Sequence, residues 1–157
     1  MKTYLIEIKL NGEWQKAEVT ARETLIEVLR NKLGATEVKN GCGKGDCGSC
    51  AVILDGKAVN SCLTLAFQAN GKEITTLRGI GNEKKPHPIQ KSFVQKGAIQ
   101  CGFCTAGMVV SAKALLDQNP KPSRQEIKEA ISGNLCRCTG YEKIIDAVQD
   151  VALESKP

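Results

Sequence analysis

The first half of the chain alternates apolar and polar residues with the two-residue period of β-strands. In the first predicted strand, alternate positions place four apolar side chains on one face: Tyr4, Ile6, Ile8 and Leu10. Asn11-Gly12 follows as a strong hairpin signal, and residues 14–19 return as the second strand. Three shorter segments also predict strands: Ala51–Leu54, Lys57–Asn60 and Ile74–Leu77.

Helical periods appear once in the first half and dominate the second. Thr24 to Glu27 has the form of a capping box, and the helix that it opens is expected to end at Gly34. Beyond the connector, apolar residues recur with helical spacing in four segments: 89–96, 105–118, 123–132 and 141–152. Four helices in so short a span predict a small bundle with short loops.

The order of these elements predicts an α+β protein of two domains. A hairpin, a crossing helix, a loop and a second hairpin follow each other as in the β-grasp fold of plant-type ferredoxins. The Gly-, Lys- and Pro-rich stretch 78–88 reads as the connector. We therefore expect a β-grasp domain over residues 1–78 and a four-helix domain over residues 79–157.

The charge balance of the chain is mildly basic, with 22 Lys and Arg against 17 Asp and Glu and a net charge of +5. The basic residues are scattered, whereas nucleic-acid binding favours a clustered stripe, so we expect no nucleic-acid partner. No apolar run is long enough to cross a membrane, and the N-terminus lacks the pattern of a signal peptide. A cytoplasmic location, where thiols stay reduced, is the expectation.

The eight cysteines fall into two groups of four. The first quartet has the spacing C-x4-C-x2-C-x11-C and consists of Cys42, Cys47, Cys50 and Cys62. The second quartet has the spacing C-x2-C-x31-C-x-C and consists of Cys101, Cys104, Cys136 and Cys138. Four thiolates can hold one iron–sulfur cluster, and the first spacing matches that of plant-type [2Fe–2S] ferredoxins.

Structural zinc is the main alternative for each quartet, because zinc also accepts four thiolates. The C-x4-C-x2-C loop is uncommon for zinc, but the second spacing alone leaves zinc and iron–sulfur equally open. A disulfide framework is disfavoured in a reducing compartment. Both pairs of the second quartet are expected at helix starts, where the partial positive charge suits an anionic cluster.

Three strings that contain seven of the ligands resemble the iron–sulfur subunit of the xanthine oxidase family of molybdenum hydroxylases. They are GCGKGDCGSC at 41–50, QCGFCTAGM at 100–108 and GNLCRCTGY at 133–141. The likeness spans nearly the whole chain. Ala106, where the family usually has proline, and Ser49, where alanine is frequent, depart from the commonest pattern, but neither is a ligand.

The resemblance implies two [2Fe–2S] clusters and a relay role without substrate chemistry on this chain. Electrons would pass from a molybdopterin cofactor in a large subunit to the second quartet, then to the first quartet, and on to FAD or another acceptor. A medium FAD-binding subunit would complete a heterotrimer, which can itself dimerise. Gln100 would reach the pterin, and Cys138 would lie against it.

A freestanding two-cluster ferredoxin that serves several soluble partners is the alternative function. Such a carrier usually depends on an acidic surface to steer its partners. This chain is basic, which favours the subunit over the free carrier.

Overall fold

The computed structural model describes residues 2–154, and these residues form one five-stranded sheet and six helices. The strands are β1 (Thr3–Leu10), β2 (Glu13–Thr20), β3 (Ala51–Leu54), β4 (Lys57–Asn60) and β5 (Glu73–Thr75). The helices are α1 (Leu25–Asn31), α2 (Leu77–Ile80), α3 (Pro88–Gln95), α4 (Thr105–Gln118), α5 (Arg124–Ile131) and α6 (Glu142–Glu154). A 3-10 turn spans Ala66–Ala69.

The sheet has the order β2-β1-β5-β3-β4, so the last strand lies in its centre. β1 and β2 form an antiparallel hairpin in which Thr3 faces Thr20 and Leu10 faces Glu13. β5 runs parallel to β1 and antiparallel to β3. Helix α1 buries Leu25, Ile26, Val28 and Leu29 in the core that the sheet lines.

The second half forms its own apolar core from α3, α4, α5 and α6. Phe93 and Met108 are among its largest fully buried side chains, together with Ile127 and Ile144. A third, smaller buried cluster joins the two halves, because Ala51 and Ile53 of β3 pack against Val110 and Ala114 of α4. The sheet and the helices are therefore in direct apolar contact.

The prediction of a mixed α/β protein is confirmed. The four helices predicted in the second half are present, although their arrangement as a four-helix bundle stays a prediction. The predicted strand 74–77 is too long, since β5 ends at Thr75 and Leu77 begins α2. The reason is Thr76, which is fully buried and hydrogen-bonded to Asn11.

Candidate metal centres

The first quartet lies on two loops at one end of the sheet. Cys42, Cys47 and Cys50 occupy the irregular segment between α1 and β3, and Cys62 follows β4. Cys50 and Cys62 are buried, whereas Cys42 and Cys47 are partly exposed. The loop comes so close to its own ligands that a Cβ at Gly41 would lie 2.8 Å from the Sγ of Cys47.

The thiols of the first quartet have divergent pKa values. The backbone amide of Lys44, 3.5 Å from the Sγ of Cys42, and then that of Cys47 lower the pKa of Cys42 to about 6. Burial, followed by the neighbouring Cys50 thiol, raises the pKa of Cys62 to about 11. Since the thiolate is the metal-binding form, Cys42 is ready to bind, while a metal must displace the proton of Cys62.

The second quartet lies where helices begin. Cys104 is the residue that precedes α4, with Cys101 one turn before it, and the loop between α5 and α6 carries Cys136 and Cys138. Both cysteine pairs thus occupy the places predicted from the sequence. Cys101 and Cys138 are exposed, and Cys104 and Cys136 are half-buried.

The thiols of the second quartet also have different pKa values, because burial and local hydrogen bonds act on them unequally. Burial raises the pKa of Cys104 to about 12, and the thiol of Cys136 adds to the effect. Burial acts in the same direction on Cys136, but the hydroxyl and the amide of Thr139 outweigh it and lower the pKa of Cys136 to about 7. The backbone amide of Cys136 donates to the hydroxyl of Tyr141 at 2.9 Å, which fixes this loop against α6.

The thiols of each quartet interact two by two. In the first quartet, the neighbouring thiol that most affects the pKa of Cys42 is Cys47, and for Cys62 it is Cys50. In the second quartet, the neighbouring thiol that most affects the pKa of Cys104 is Cys136, and for Cys138 it is Cys101. All eight thiols are free, and among residues 2–154 no group of three or more His, Cys, Asp or Glu side chains is placed close enough to hold a metal ion. Neighbouring pairs of thiols fit a [2Fe–2S] cluster, in which each of two irons takes two thiolates.

The two ligand loops touch each other. The backbone amide of Leu135 donates to the carbonyl of Cys47 at 2.9 Å, and the side-chain amide of Asn134 donates to the carbonyl of Gly48 at 2.9 Å. We call this pair of hydrogen bonds the inter-loop contact. It joins Cys47 of the first quartet to the residue before Cys136 of the second.

Gln100 and Cys138 are brought together on the surface. The side-chain amide of Gln100 donates to the backbone carbonyl of Cys138 at 3.2 Å, and both residues are exposed. Three large apolar side chains in the same ligand segments are also exposed: Ile99, Phe103 and Leu135. Gln100 and Cys138 were predicted from the sequence and Asn134 was not, although Asn134 lies within the GNLCRCTGY string.

Comparison with known families accounts for both quartets. Residues 8–76 match the family described as "2Fe-2S iron-sulfur cluster binding domain", and residues 76–149 match the "[2Fe-2S] binding domain". The chain is thus an iron–sulfur protein that holds two [2Fe–2S] clusters.

Individual relatives show to which group of iron–sulfur proteins the chain is similar. The chain is 48% identical to the nicotinate dehydrogenase small FeS subunit of Eubacterium barkeri, and the match covers 95% of each chain. It is 48% identical to the nicotine 6-hydroxylase small subunit of Paenarthrobacter nicotinovorans, covering 92% of this chain and 87% of the other. The structure of quinoline 2-oxidoreductase from Pseudomonas putida 86 matches with a TM-score of 0.92 and 47% identity, over 98% of this chain and 94% of that one.

Some relatives carry the same unit in a much longer chain. The aldehyde oxidoreductase of Megalodesulfovibrio gigas is 49% identical over 92% of this chain, which corresponds to 16% of that protein. The chain belongs to the iron–sulfur small subunits of the molybdenum hydroxylases. It is the electron-transfer subunit of an oxidoreductase whose molybdopterin lies in a partner. No helix within residues 2–154 is both long enough and apolar enough to cross a bilayer.

Proposed function

We propose that this chain relays electrons in one direction, from the molybdopterin of a large subunit to the second quartet, then to the first quartet, and finally to FAD in a medium subunit. The three chains would form a heterotrimer. The observation that carries the proposal is the inter-loop contact, because it places the two ligand loops in direct hydrogen-bonded contact. Each bound [2Fe–2S] cluster supplies one-electron redox chemistry.

The eight cysteines are the proposed ligands, four to each cluster. The polypeptide around them divides into the proposed domains 1–78 and 79–157, with α3 to α6 as a four-helix bundle. In each quartet, one pair of thiolates would bind one iron of the cluster, and the other pair would bind the second iron. The chain's own part in the relay is to hold the ligand loops rigidly and close together.

The second quartet is the proposed point of entry because its ligands reach the surface. Cys101 and Cys138 are exposed, and Ile99, Phe103 and Leu135 offer apolar area beside them. Exposed apolar side chains around a polar centre are typical of a protein interface. We propose that the large subunit covers this face and that Gln100, which already binds the carbonyl of Cys138, meets the pterin there.

The first quartet is the proposed point of exit. Its deeper pair, Cys50 and Cys62, is buried, so that contact with a second partner would be made through the Cys42–Cys47 segment, which is partly exposed. Nearby, Leu63 is 64% exposed and packs over Gly45. We propose that this segment faces the flavin subunit.

Replacing single ligands in the assembled complex tests the direction. In Cys47→Ser, substrate should reduce the second cluster and no further centre of this chain. In Cys104→Ser, substrate should reduce neither the first cluster nor the flavin, while an artificial reductant still reduces the flavin. Rapid-freeze EPR after mixing with substrate distinguishes the two centres.

Ser49→Ala is the matched control, since Ser49 lies in the same loop as Cys47 but is not a ligand. In the Ser49→Ala complex, substrate should reduce both clusters at the same rate as in the unaltered complex. Iron analysis of each variant confirms that the untouched cluster remains. Normal reduction of the flavin by substrate in a Cys104→Ser complex that lacks its cluster would contradict the proposed route.

A further inference from the structure

We propose that Asn134 is a positioning residue that sets the geometry between the two clusters, and that the inter-loop contact depends on its side-chain amide. This inference rests on the proposed relay. It concerns a residue that binds no metal and that lies two positions before the ligand Cys136.

Asn134 is held firmly on the helical side. Its backbone amide donates to the carbonyl of Ile131 at 2.9 Å, so the residue continues directly from the end of α5. Ile131 itself is buried in the helical core. The position of Asn134 is therefore fixed by the core of the second half.

On the other side, Asn134 reaches into the first ligand loop. The residue is 4% exposed, and its amide nitrogen lies 2.9 Å from the carbonyl oxygen of Gly48. The next amide along the chain, that of Leu135, binds the preceding carbonyl, that of Cys47. Two consecutive donors thus meet two consecutive acceptors, which fixes both the distance and the orientation of the loops.

The space around this side chain exists only because two neighbours are glycines. A Cβ at Gly48 would collide with the carbonyl of Gly133 and lie 2.6 Å from the amide nitrogen of Asn134. A Cβ at Gly107 of α4 would collide with the carbonyl of Gly48 and lie 3.0 Å from the same nitrogen. The amide of Asn134 therefore packs between the bare backbones of Gly48 and Gly107, where neither glycine could carry a side chain without displacing it.

Losing this amide has a defined cost. The carbonyl of Gly48 would keep one other partner, the backbone amide of Ala51 at 3.1 Å. A buried acceptor turned toward this carbonyl in place of the amide is nevertheless unfavourable enough to shift an equilibrium by roughly tenfold or more toward an opened arrangement. Opening would release the adjacent bond between Leu135 and Cys47. Because electron transfer slows steeply with distance, the two clusters would then exchange electrons more slowly.

The first experiment uses Asn134→Asp in the chain with both clusters bound. Aspartate has nearly the same shape but turns an acceptor toward the carbonyl of Gly48. We expect hydrogen exchange at the Leu135 amide to rise about tenfold or more. We also expect a weaker magnetic interaction between the two clusters in the EPR spectrum after reduction with dithionite.

Asn60→Asp is the matched control. The amide of Asn60 also donates to a carbonyl of the first ligand loop, that of Gly45 at 3.1 Å, but both residues belong to the first half. Asn60→Asp should disturb the first ligand loop. It should change neither the magnetic interaction between the clusters nor the rate of hydrogen exchange at the Leu135 amide. Asn134→Ala removes the donor without adding charge and decides the result if Asn134→Asp fails to retain the second cluster.

The outcomes separate this inference from the relay itself. An unchanged magnetic interaction in both Asn134 variants, or an equal loss in Asn60→Asp, would overturn the role of Asn134. A wild-type chain that shows only one paramagnetic centre after full reduction would overturn the relay as well. Retention of two centres with a weakened interaction, confined to the Asn134 variants, supports the inference.

Discussion

Gly107 shows how strongly a single position can be constrained by a contact outside its own helix. It lies in α4, where the backbone is helical and alanine is intrinsically preferred over glycine by about 1 kcal/mol. A Cβ there would nonetheless collide with the carbonyl of Gly48 and approach the Cα of Ser49 to 3.1 Å. The tertiary contact and the helix propensity therefore act in opposite directions.

We expect Gly107→Ala to destabilise the protein in spite of its better helix propensity. Forcing a methyl group against backbone typically costs about 1–3 kcal/mol. The temperature at which the visible circular dichroism of the clusters is lost should fall. Gly133→Ala serves as control, because nothing lies within 4 Å of the added Cβ. Equal behaviour of the two variants would show that the close approach is unimportant.

At this scale the sequence predicts the ligand set, and it cannot predict how ligand loops meet. The cysteines stand in motifs that are recognisable one string at a time. Asn134 and Gly107 stand in such strings as well, but their roles depend on Gly48, which is far from both in sequence. Only the folded chain shows that two separate backbone segments, at Gly48 and Gly107, converge on the amide of Asn134.

The start of α5 matters because this helix carries the Asn134 loop at its other end. The hydroxyl of Ser123 accepts from the amide of Glu126 at 3.2 Å, and the carboxylate of Glu126 accepts from the amide of Ser123 at 2.7 Å. The capping box predicted from the sequence is thus formed. The Ser123 amide holds the pKa of Glu126 below its ordinary value of 4.5, so the cap is intact at neutral pH and weakens only below that value.

Ser123→Ala should destabilise the protein by about 1 kcal/mol, since it removes the acceptor for a helix amide. We expect the rate of amide hydrogen exchange to increase in α5 and in the loop that follows it. Ser132→Ala, at the opposite end of the same helix, is the matched control. The hydroxyl of Ser132 donates to the carbonyl of Glu129. In Ser132→Ala this carbonyl would still accept a hydrogen bond from the backbone amide of residue 132. A larger loss in Ser132→Ala than in Ser123→Ala would argue against the cap.

Among the elements, α2 was the least predictable. Residues 78–88 look like a connector by composition, yet the first of them lie in a short helix. Asn11, in the turn after β1, binds the amide and hydroxyl of Thr76, and the hydroxyl of Thr76 donates to Glu37 at 2.6 Å. Because these partners are distant in sequence, local pattern alone could not end β5 at Thr75.

On the scale of the whole molecule, the two halves share buried surface. Ile53 of β3 and Val110 of α4 belong to the same apolar cluster, so neither half is fully covered without the other. Sequence patterns predicted a strand and a helix at these places. They did not predict that the two elements pack against each other, because that pairing depends on the path of the chain between them.

Val110→Ala should weaken both halves together. The change removes two methyl groups from a buried side chain, which lowers the free energy of unfolding by about 1–2 kcal/mol. We expect hydrogen exchange to accelerate in β3 as well as in α4. Val94→Ala is the matched control, since Val94 is 69% exposed and should tolerate the change. Acceleration restricted to α4 would mean that the halves open independently.

The central place of β5 has a consequence for the order of events during synthesis. All four ligands of the first quartet have been made by residue 62, but the sheet beside them still has a gap between β1 and β3. Residues 73–75 fill that gap by pairing with Lys9 and Leu10, near the very beginning of the chain. Contacts between such distant segments form late and slowly. We therefore expect a nascent chain to present a complete but unsupported set of four thiols for a time, and a stable site for iron and sulfide to form only after β5 has paired.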